Sequence, residues 1–361
     1  MKKLRICVIG IGFIGRQHID AIRRVPGVEI AAISDLNEEN LRAYAEAQAI
    51  PKYYTDYIEM LDTEKPDIVH VATPNYMHFE MSREAILRGI HVYCEKPLAL
   101  NASESSELVR LAKEHNVFAA VNFNYRQNAM AKDMRARVHA ADGAFGRPTL
   151  VHGYYMQEYG LSNQAGGWKL DPEKGGETRA LGDIGSHWFD TAQYVLGARV
   201  KSVLAEFKIL YPERSGIPVV NEDLGMVLVR FEDGTLGNMM ASVISAGHRN
   251  DLVLTVEGTN YAMKWTQENA DQLEILTREG NSVVKAGMGA MTEEARPFAA
   301  LPSGHPVGWA DAFKNGVSAF YTAVRTGKAE GYATFEDGDY VMRILEACLE
   351  SSRTKKWTDV K

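Results

Sequence analysis

The pattern of apolar and polar positions divides the chain into two styles of folding. Leu4 to Ile9 is a short apolar run closed by Gly10, which predicts a buried strand, and His18 to Arg24 predicts a helix. Val28 to Ser34 predicts a second strand, and Asn37 can cap a helix with Glu38 and Glu39 in its first turn. Asp67 to Ala72, Ile90 to Cys94 and Val117 to Phe123 predict further strands. Helical stretches at Ser82 to Arg88 and Ser103 to Glu114 alternate with them. Strands and helices alternating at this spacing predict a parallel sheet with crossover helices.

After residue 123 the pattern changes. Thr149 to Glu158, Val200 to Leu210, Asp223 to Glu232 and Thr235 to Ser245 read as long strands, as do Leu252 to Glu257, Ala262 to Thr266 and Gln272 to Thr277. Asp233-Gly234 and Gly258-Thr259-Asn260 are tight connections between successive strands, so an antiparallel or mixed sheet is expected. Gly182 to Leu196, Trp309 to Arg325 and Phe335 to Ser352 predict helices, and the Gly-, Ala- and Pro-rich stretch Asn281 to Pro306 predicts a loop. The boundary falls near Asn122 to Asn124. The expected division is 1–123 and 124–361, with the C-terminal helices free to pack back on the first domain.

Composition narrows the function. A chain of 361 residues, 45% hydrophobic and 24% charged, is globular and long enough for two domains. Forty basic against 47 acidic residues leave a net charge of −7, which argues against a nucleic-acid or anionic-membrane surface. The three cysteines, Cys7, Cys94 and Cys348, form no CxxC pair and suit a reducing compartment. No apolar stretch reaches the roughly 18 residues of a membrane span. Met1-Lys2-Lys3 before Leu4 to Ile14 imitates a short signal peptide, but Arg5 and the glycines interrupt it. It reads as the first strand, and the expected location is cytoplasmic.

The glycines themselves carry chemistry. Gly10-Ile11-Gly12-Phe13-Ile14-Gly15 is a GxGxxG motif between a strand and a helix, with Asp35 20 residues after Gly15. The first glycine permits a tight turn, the second admits a pyrophosphate, and the third lets helix and strand approach. A carboxylate at Asp35 accepts the adenosine ribose hydroxyls and repels a 2′-phosphate, so NAD is expected rather than NADP. Thr73-Pro74-Asn75, with His78 beyond it, and Glu95-Lys96-Pro97 follow strands three and four, where ligands of open parallel sheets bind. Thr73, Asn75, His78, Glu95 and Lys96 join the glycine turn as candidate cofactor residues. Lys96 would reach the nicotinamide end, where a lysine with its charged form disfavoured serves proton transfer.

A second constellation is Gly182-Asp183-Ile184-Gly185-Ser186-His187. Asp183 and His187 are four apart and share one helix face, with Asp190 on the same stripe. A carboxylate one turn from an imidazole orients it and raises its basicity. The same spacing suits a metal, but no third ligand is near in sequence, and none is expected.

Together these residues resemble the Gfo/Idh/MocA oxidoreductases, named for glucose–fructose oxidoreductase and inositol dehydrogenase. The N-terminal GxGxxG, Glu95-Lys96-Pro97 and Asp183-x-Gly185-x-His187 carry the match, with Asn124-Tyr125-Arg126 and His305-Pro306-x-Gly308-Trp309 in support. The resemblance runs the length of the chain in the same order. It implies an α/β Rossmann domain followed by an α+β domain with a large open, mainly antiparallel sheet that serves in dimer or tetramer contacts. It implies NAD(P)-dependent oxidation of one hydroxyl of a sugar, sugar acid or polyol. Lys96 would hydrogen-bond the reacting oxygen, and Asp183 and His187 would bind substrate and relay its proton, His187 as general base. A cis Lys96-Pro97 bond is also implied.

The glycine-bounded polar stretch from Gln157 to Asp183 includes Gly166 to Asp171 and Gly175 to Arg179 and reads as a lid or substrate wall. Trp168 offers a face for a pyranose or the nicotinamide. Asn124, Arg126, Gln157 and Arg179 offer hydrogen bonds to hydroxyls, or in the case of Arg179 and Gln157 to a substrate carboxylate. Tyr154 and Tyr155 alternate on a strand, so at most one faces the site. His305 stands either against substrate or at a helix start. The reading is an NAD-dependent sugar or cyclitol dehydrogenase. An NAD-dependent glycosidase working by transient oxidation and a non-catalytic sugar sensor are the alternatives.

Overall fold

The computed structural model describes residues 3–162 and 167–361. Met1, Lys2 and Gly166, which entered the readings above, lie outside the described residues. The chain forms two units. One takes residues up to Asn122 together with Phe313–Tyr340, and the other takes Phe123–Ala312 and Val341–Lys361.

The first unit opens with β1 (Leu4–Ile9), α1 (Phe13–Arg23), β2 (Val28–Ser34), α2 (Glu38–Ala47), β3 (Tyr53–Tyr54) and α3 (Tyr57–Glu64). It continues with β4 (Ile68–Val71), α4 (His78–Leu87), β5 (His91–Cys94), α5 (Ala102–Glu114) and β6 (Ala119–Val121). The six strands are all parallel, in the order β3-β2-β1-β4-β5-β6. That is the doubly wound dinucleotide-binding order, with its topological switch between β1 and β4.

Local chemistry sets the helix starts. The Asn37 side chain accepts the Asn40 N–H and starts α2, and Asp56 does the same for α3 through the Ile58 N–H at 2.7 Å. Helix α1 begins at Phe13, earlier than the expected His18, because Gly12 and Gly15 belong to its cap and first turn rather than to a free loop. Helix α4 likewise starts at His78 rather than Ser82. The pair β3 and α3 was absent from the sequence reading, since two tyrosines make too short a strand to leave a period.

The second unit contains α6 (Ala129–Val138), β7 (Pro148–Met156), α7 (Pro172–Gly175), α8 (Ser186–Leu196), β8 (Val200–Lys208), β9 (Glu213–Arg214) and β10 (Ile217–Pro218). Strands β11 (Leu224–Phe231), β12 (Leu236–Ser242), β13 (Asp251–Gly258), β14 (Ala262–Thr266), β15 (Gln272–Thr277) and β16 (Gly280–Lys285) follow. The last elements are α9 (Trp309–Thr326), α10 (Phe335–Thr354) and β17 (Thr358–Asp359). Residues of α9 from Phe313 onward, and of α10 as far as Tyr340, fold with the first unit.

Nine strands make one sheet, ordered β16-β15-β14-β13-β7-β12-β11-β8-β17. Every pairing is antiparallel except β7 with β12, so the sheet is mixed and mainly antiparallel. Strand β11 alternates strictly between buried and exposed positions, as a sheet with one covered face requires. Trp188 of α8 is fully buried on the covered side, with its indole N–H given to the Val253 carbonyl. The stretch expected as a loop from Asn281 begins instead as β16. A two-residue turn brings it back along β15, and Thr277 Oγ1 donates to the Gly280 carbonyl.

Candidate functional site

The glycine turn is built for close approach. Gly10 has φ +89°, and a Cβ there would stand 2.6 Å from the Ala72 carbonyl oxygen. A Cβ on Gly15 would stand 1.9 Å from the Gly10 carbonyl oxygen, so α1 can pack against β1 only without one. At Gly12, the N-cap of α1, nothing lies within 4 Å of the position a Cβ would take, which leaves the helix N-terminus open to a phosphate. Phe13 projects outward and Ile14 is half-buried in the first turn. Asp35 Oδ2 accepts the Ile11 N–H at 2.9 Å, tying the end of β2 to the turn. A cleft lined by Gly10, Gly12, Asp35, Tyr57, Thr73 and Pro74 lies at the carboxyl ends of β1, β2 and β4. These residues fit an NAD adenosine and pyrophosphate. Asn75 opens a short 3₁₀ turn at the same rim.

Glu95 and Lys96 follow β5. Glu95 is buried, and its Oε1 meets His18 Nε2 at 3.0 Å and Asn122 Nδ2 at 2.5 Å. Its Oε2 accepts the Lys96 backbone N–H at 3.2 Å. Burial alone would raise the Glu95 pKa, but the hydrogen bond from His18, the Lys96 charge and the Asn122 amide outweigh it and hold the carboxyl below its ordinary value. Lys96 itself is half-buried, and the Lys96-Pro97 bond is cis.

His78 departs from expectation. Its Nδ1 lies 2.8 Å from the Pro97 carbonyl oxygen and its Nε2 2.9 Å from that of Thr73, and the ring is wholly buried. Both nitrogens are taken up by backbone, so His78 braces the two turns against each other rather than reaching toward a cofactor. Burial lowers its pKa, against the two carbonyl bonds.

In the second unit, Asp183 sits in a π-helical turn, Leu181–Gly185, that leads into α8. Such turns recur at functional sites because they redirect side chains from a regular helix. The buried Glu222 carboxylate holds the approach to this turn. It accepts the Arg179 N–H at 3.0 Å and the Leu181 N–H at 2.8 Å. Asp183 Oδ2 accepts Lys169 Nζ at 2.6 Å and the Tyr159 hydroxyl at 2.9 Å. His187, buried on α8, is walled by Phe123, Tyr125 and Tyr155, the Tyr125 ring centroid 4.7 Å away. The Tyr125 and Tyr155 hydroxyls are 2.9 Å apart. Tyr155 donates to Asn250 Oδ1, and Gln157 Nε2 reaches the same oxygen at 3.1 Å. Tyr155, not Tyr154, therefore faces His187. Asn124 is buried nearby in sequence, and its Nδ2 has no hydrogen-bond partner among the described residues.

Two expected substrate contacts are redirected. Arg126 forms a fork with Asp190 from Nε, at 2.9 Å, and from its second terminal nitrogen. Arg179 pairs with Asp223, which also receives Arg214 at 2.9 Å. All these side chains are buried. A buried guanidinium needs a carboxylate, and both arginines find theirs inside the unit. Asp190 thus serves as the carboxylate of Arg126. Trp168 is half-exposed, with Lys169 Nζ 5.8 Å from its ring. His305 lies exposed, with Nδ1 3.1 Å from the Pro302 carbonyl oxygen. Lys169, Tyr159 and Asn250 escaped the sequence reading. Their one signal was position, as polar side chains in or after the glycine-bounded stretch.

A doubly wound parallel sheet with an open glycine turn, and Asp35 at the end of β2 bonded to that turn, defines an NAD-binding domain. The chain belongs to the GFO/IDH/MocA family: the sequence model of its oxidoreductase, NAD-binding Rossmann domain matches residues 4–123, and that of its C-terminal domain matches residues 134–264. The resemblance, the fold class and the cofactor inferred from the residues are thereby borne out. The chain is 27% identical to levoglucosan dehydrogenase of Pseudarthrobacter phenanthrenivorans, over 100% of this chain and 99% of that protein. It is 30% identical to myo-inositol 2-dehydrogenase of Thermotoga maritima, over 65% of this chain and 67% of the relative. An inositol dehydrogenase homolog from Azotobacter vinelandii, solved with NAD+, superposes with a TM-score of 0.92 at 25% identity, covering 99% of this chain and 97% of that one.

Proposed function

We propose that the protein oxidises a secondary hydroxyl of an uncharged sugar or cyclitol. NAD, when bound, accepts the hydride. Lys96 hydrogen-bonds and polarises the reacting oxygen, His187 takes the hydroxyl proton, and Asp183 orients the substrate through an adjacent hydroxyl. Asn124, Tyr155 and Gln157 supply further uncharged hydrogen-bonding groups. The relatives support this reading, since those named above act on levoglucosan and myo-inositol by their names.

One observation carries the restriction to uncharged substrates. The two arginines expected at the substrate end, and Lys169 with them, each face a carboxylate of the chain itself. Arg126 faces Asp190, Arg179 faces Asp223, and Lys169 faces Asp183. A substrate carboxylate or phosphate would compete with those pairs, two of them buried, and leave one partner uncompensated. The test is NAD reduction against levoglucosan, myo-inositol, scyllo-inositol and glucose, beside glucuronate and glucose 6-phosphate. Turnover confined to the uncharged members is expected. Faster turnover of either anion sinks the proposal.

The exposed face of the nine-stranded sheet carries Met226, Leu228 and Leu236, each about half exposed. We propose that a second copy of the chain covers it. Light scattering should then give a dimer or tetramer, and a monomer at micromolar concentration refutes this.

A further inference from the structure

Below Lys96 the first unit buries a line of polar groups that the proposed reaction does not use. The Tyr321 hydroxyl of α9 lies 2.8 Å from His70 Nε2 on β4. His70 Nδ1 lies 2.7 Å from His18 Nδ1 on α1, and His18 Nε2 lies 3.0 Å from Glu95 Oε1. Both imidazoles and the Tyr321 ring are wholly buried. The Phe313 ring packs edge-on against His18 with centroids 4.8 Å apart, and Tyr93 stacks on His70 at the same separation. The Tyr93 hydroxyl completes a second route to Glu95 by donating to Asn122 Oδ1 at 3.0 Å, while the Asn122 amide donates to Glu95. An apolar interior holds such groups only when each is satisfied.

The two ends of the line fix the protons along it. Ionised Glu95 only accepts, so His18 Nε2 carries its hydrogen. At the far end the Tyr321 hydroxyl has no acceptor but His70 among the described residues, so it donates to His70 Nε2. Burial raises the Tyr321 pKa well above its ordinary value and drives that of His70 well below, which keeps the first protonated and the second neutral. His70 then donates from Nδ1, and His18 Nδ1 accepts. All three hydrogen bonds point toward Glu95.

We propose that His18, His70 and Tyr321 are positioning residues, a polarised relay that locks the Glu95 carboxylate and through it the turn presenting Lys96. Glu95 Oε2 receives the Lys96 backbone N–H, so a carboxylate turned by loss of the His18 bond moves the base of the lysine. Preorganisation of this kind lives in residues that never touch the substrate. The inference rests on the role proposed for Lys96.

The experiment combines ¹⁵N-histidine NMR with Tyr321→Phe, which removes one hydroxyl and keeps the ring. In the wild type, one buried histidine should be protonated on Nδ1 alone and another on Nε2 alone. A scalar coupling should join their two Nδ1 nuclei across the shared hydrogen. In Tyr321→Phe the Nε2 resonance of His70 should move. Turnover of the best uncharged sugar should fall about tenfold, the weight of one hydrogen bond to a buried group, with KM for NAD unchanged. A wild-type His70 protonated on Nε2 overturns the relay, and so does unchanged turnover in Tyr321→Phe. If no sugar is oxidised, the dehydrogenase reading fails, while the tautomers still decide whether the relay exists.

Discussion

Glu222→Gln isolates the cost of one buried charge. Glu222 is wholly surrounded by protein, and burial pushes its pKa from 4.5 up to about 7 against the pull of three backbone N–H bonds and the Arg179 charge. In the unfolded chain it titrates near 4.5, so between about pH 4.5 and 7 the folded protein holds a proton that the unfolded chain has lost. Its contribution to stability is complete below the unfolded value and disappears as pH rises through the folded value. The shift of 2.5 units corresponds to about 3 kcal/mol at 1.36 kcal/mol per unit. Glutamine resembles the protonated acid and cannot ionise. Its Oε1 keeps the Arg179 and Leu181 N–H bonds, while its amide faces the Arg179 N–H that Oε2 accepts at 3.1 Å. That mismatch costs about 1 kcal/mol at every pH. The variant should therefore be slightly less stable than wild type near pH 5 and more stable by about 2 kcal/mol near pH 8. Urea unfolding of both proteins from about pH 5 to 9 reads the difference directly. A difference that stays flat across this range, or that grows in the other direction, refutes the argument.

Asp35→Asn keeps an acceptor for the Ile11 N–H but removes the charge that repels a 2′-phosphate. The ratio of kcat/KM with NAD to that with NADP should fall about tenfold or more. Lys96→Met should reduce turnover by about two to four orders of magnitude, with NAD binding measured by fluorescence changing far less. Wild-type turnover would remove Lys96 from the reaction. Lys169→Met withdraws the ammonium from Asp183 and leaves Tyr159 as its donor, so KM for the sugar should rise about tenfold. An unchanged KM would show that the pair does not shape the site.

How much the sequence revealed follows from how local each feature is. The glycine turn and Asp35 lie within 26 residues, and their chemistry follows from spacing alone. The strands of the parallel sheet other than β3 were readable because a strand covered on both faces is apolar throughout. His78, Arg126 and Arg179 misled because a polar residue in a promising place leaves its partner unnamed. Pro97, Asp190 and Asp223, which answer them, stand 19, 64 and 44 positions away and only the fold brings them near. Lys169 gave no sign of its role, since a lysine in a glycine-bounded stretch is ordinarily solvated. Helix α6 was missed because nearly its whole first half is buried, polar Lys132 and Asp133 included, so no amphipathic stripe marks it.

The return of residues 313–340 to the first unit bears on the order in which the molecule can be made. A ribosome releases β1 to β6 early, but His18 and His70 then lack Phe313 and Tyr321, which are translated after the whole nine-stranded sheet except β17. Ala120 likewise waits for the bridge to Thr334, and Ser105 for its bond to Asp339. The nascent dinucleotide-binding unit must wait for these partners through about 190 residues of synthesis, some ten seconds or more at usual elongation rates. A fragment ending before Phe313 would retain the GxGxxG turn and lose the interior behind Lys96. The unit that comes first in the sequence is thus among the last to be completed.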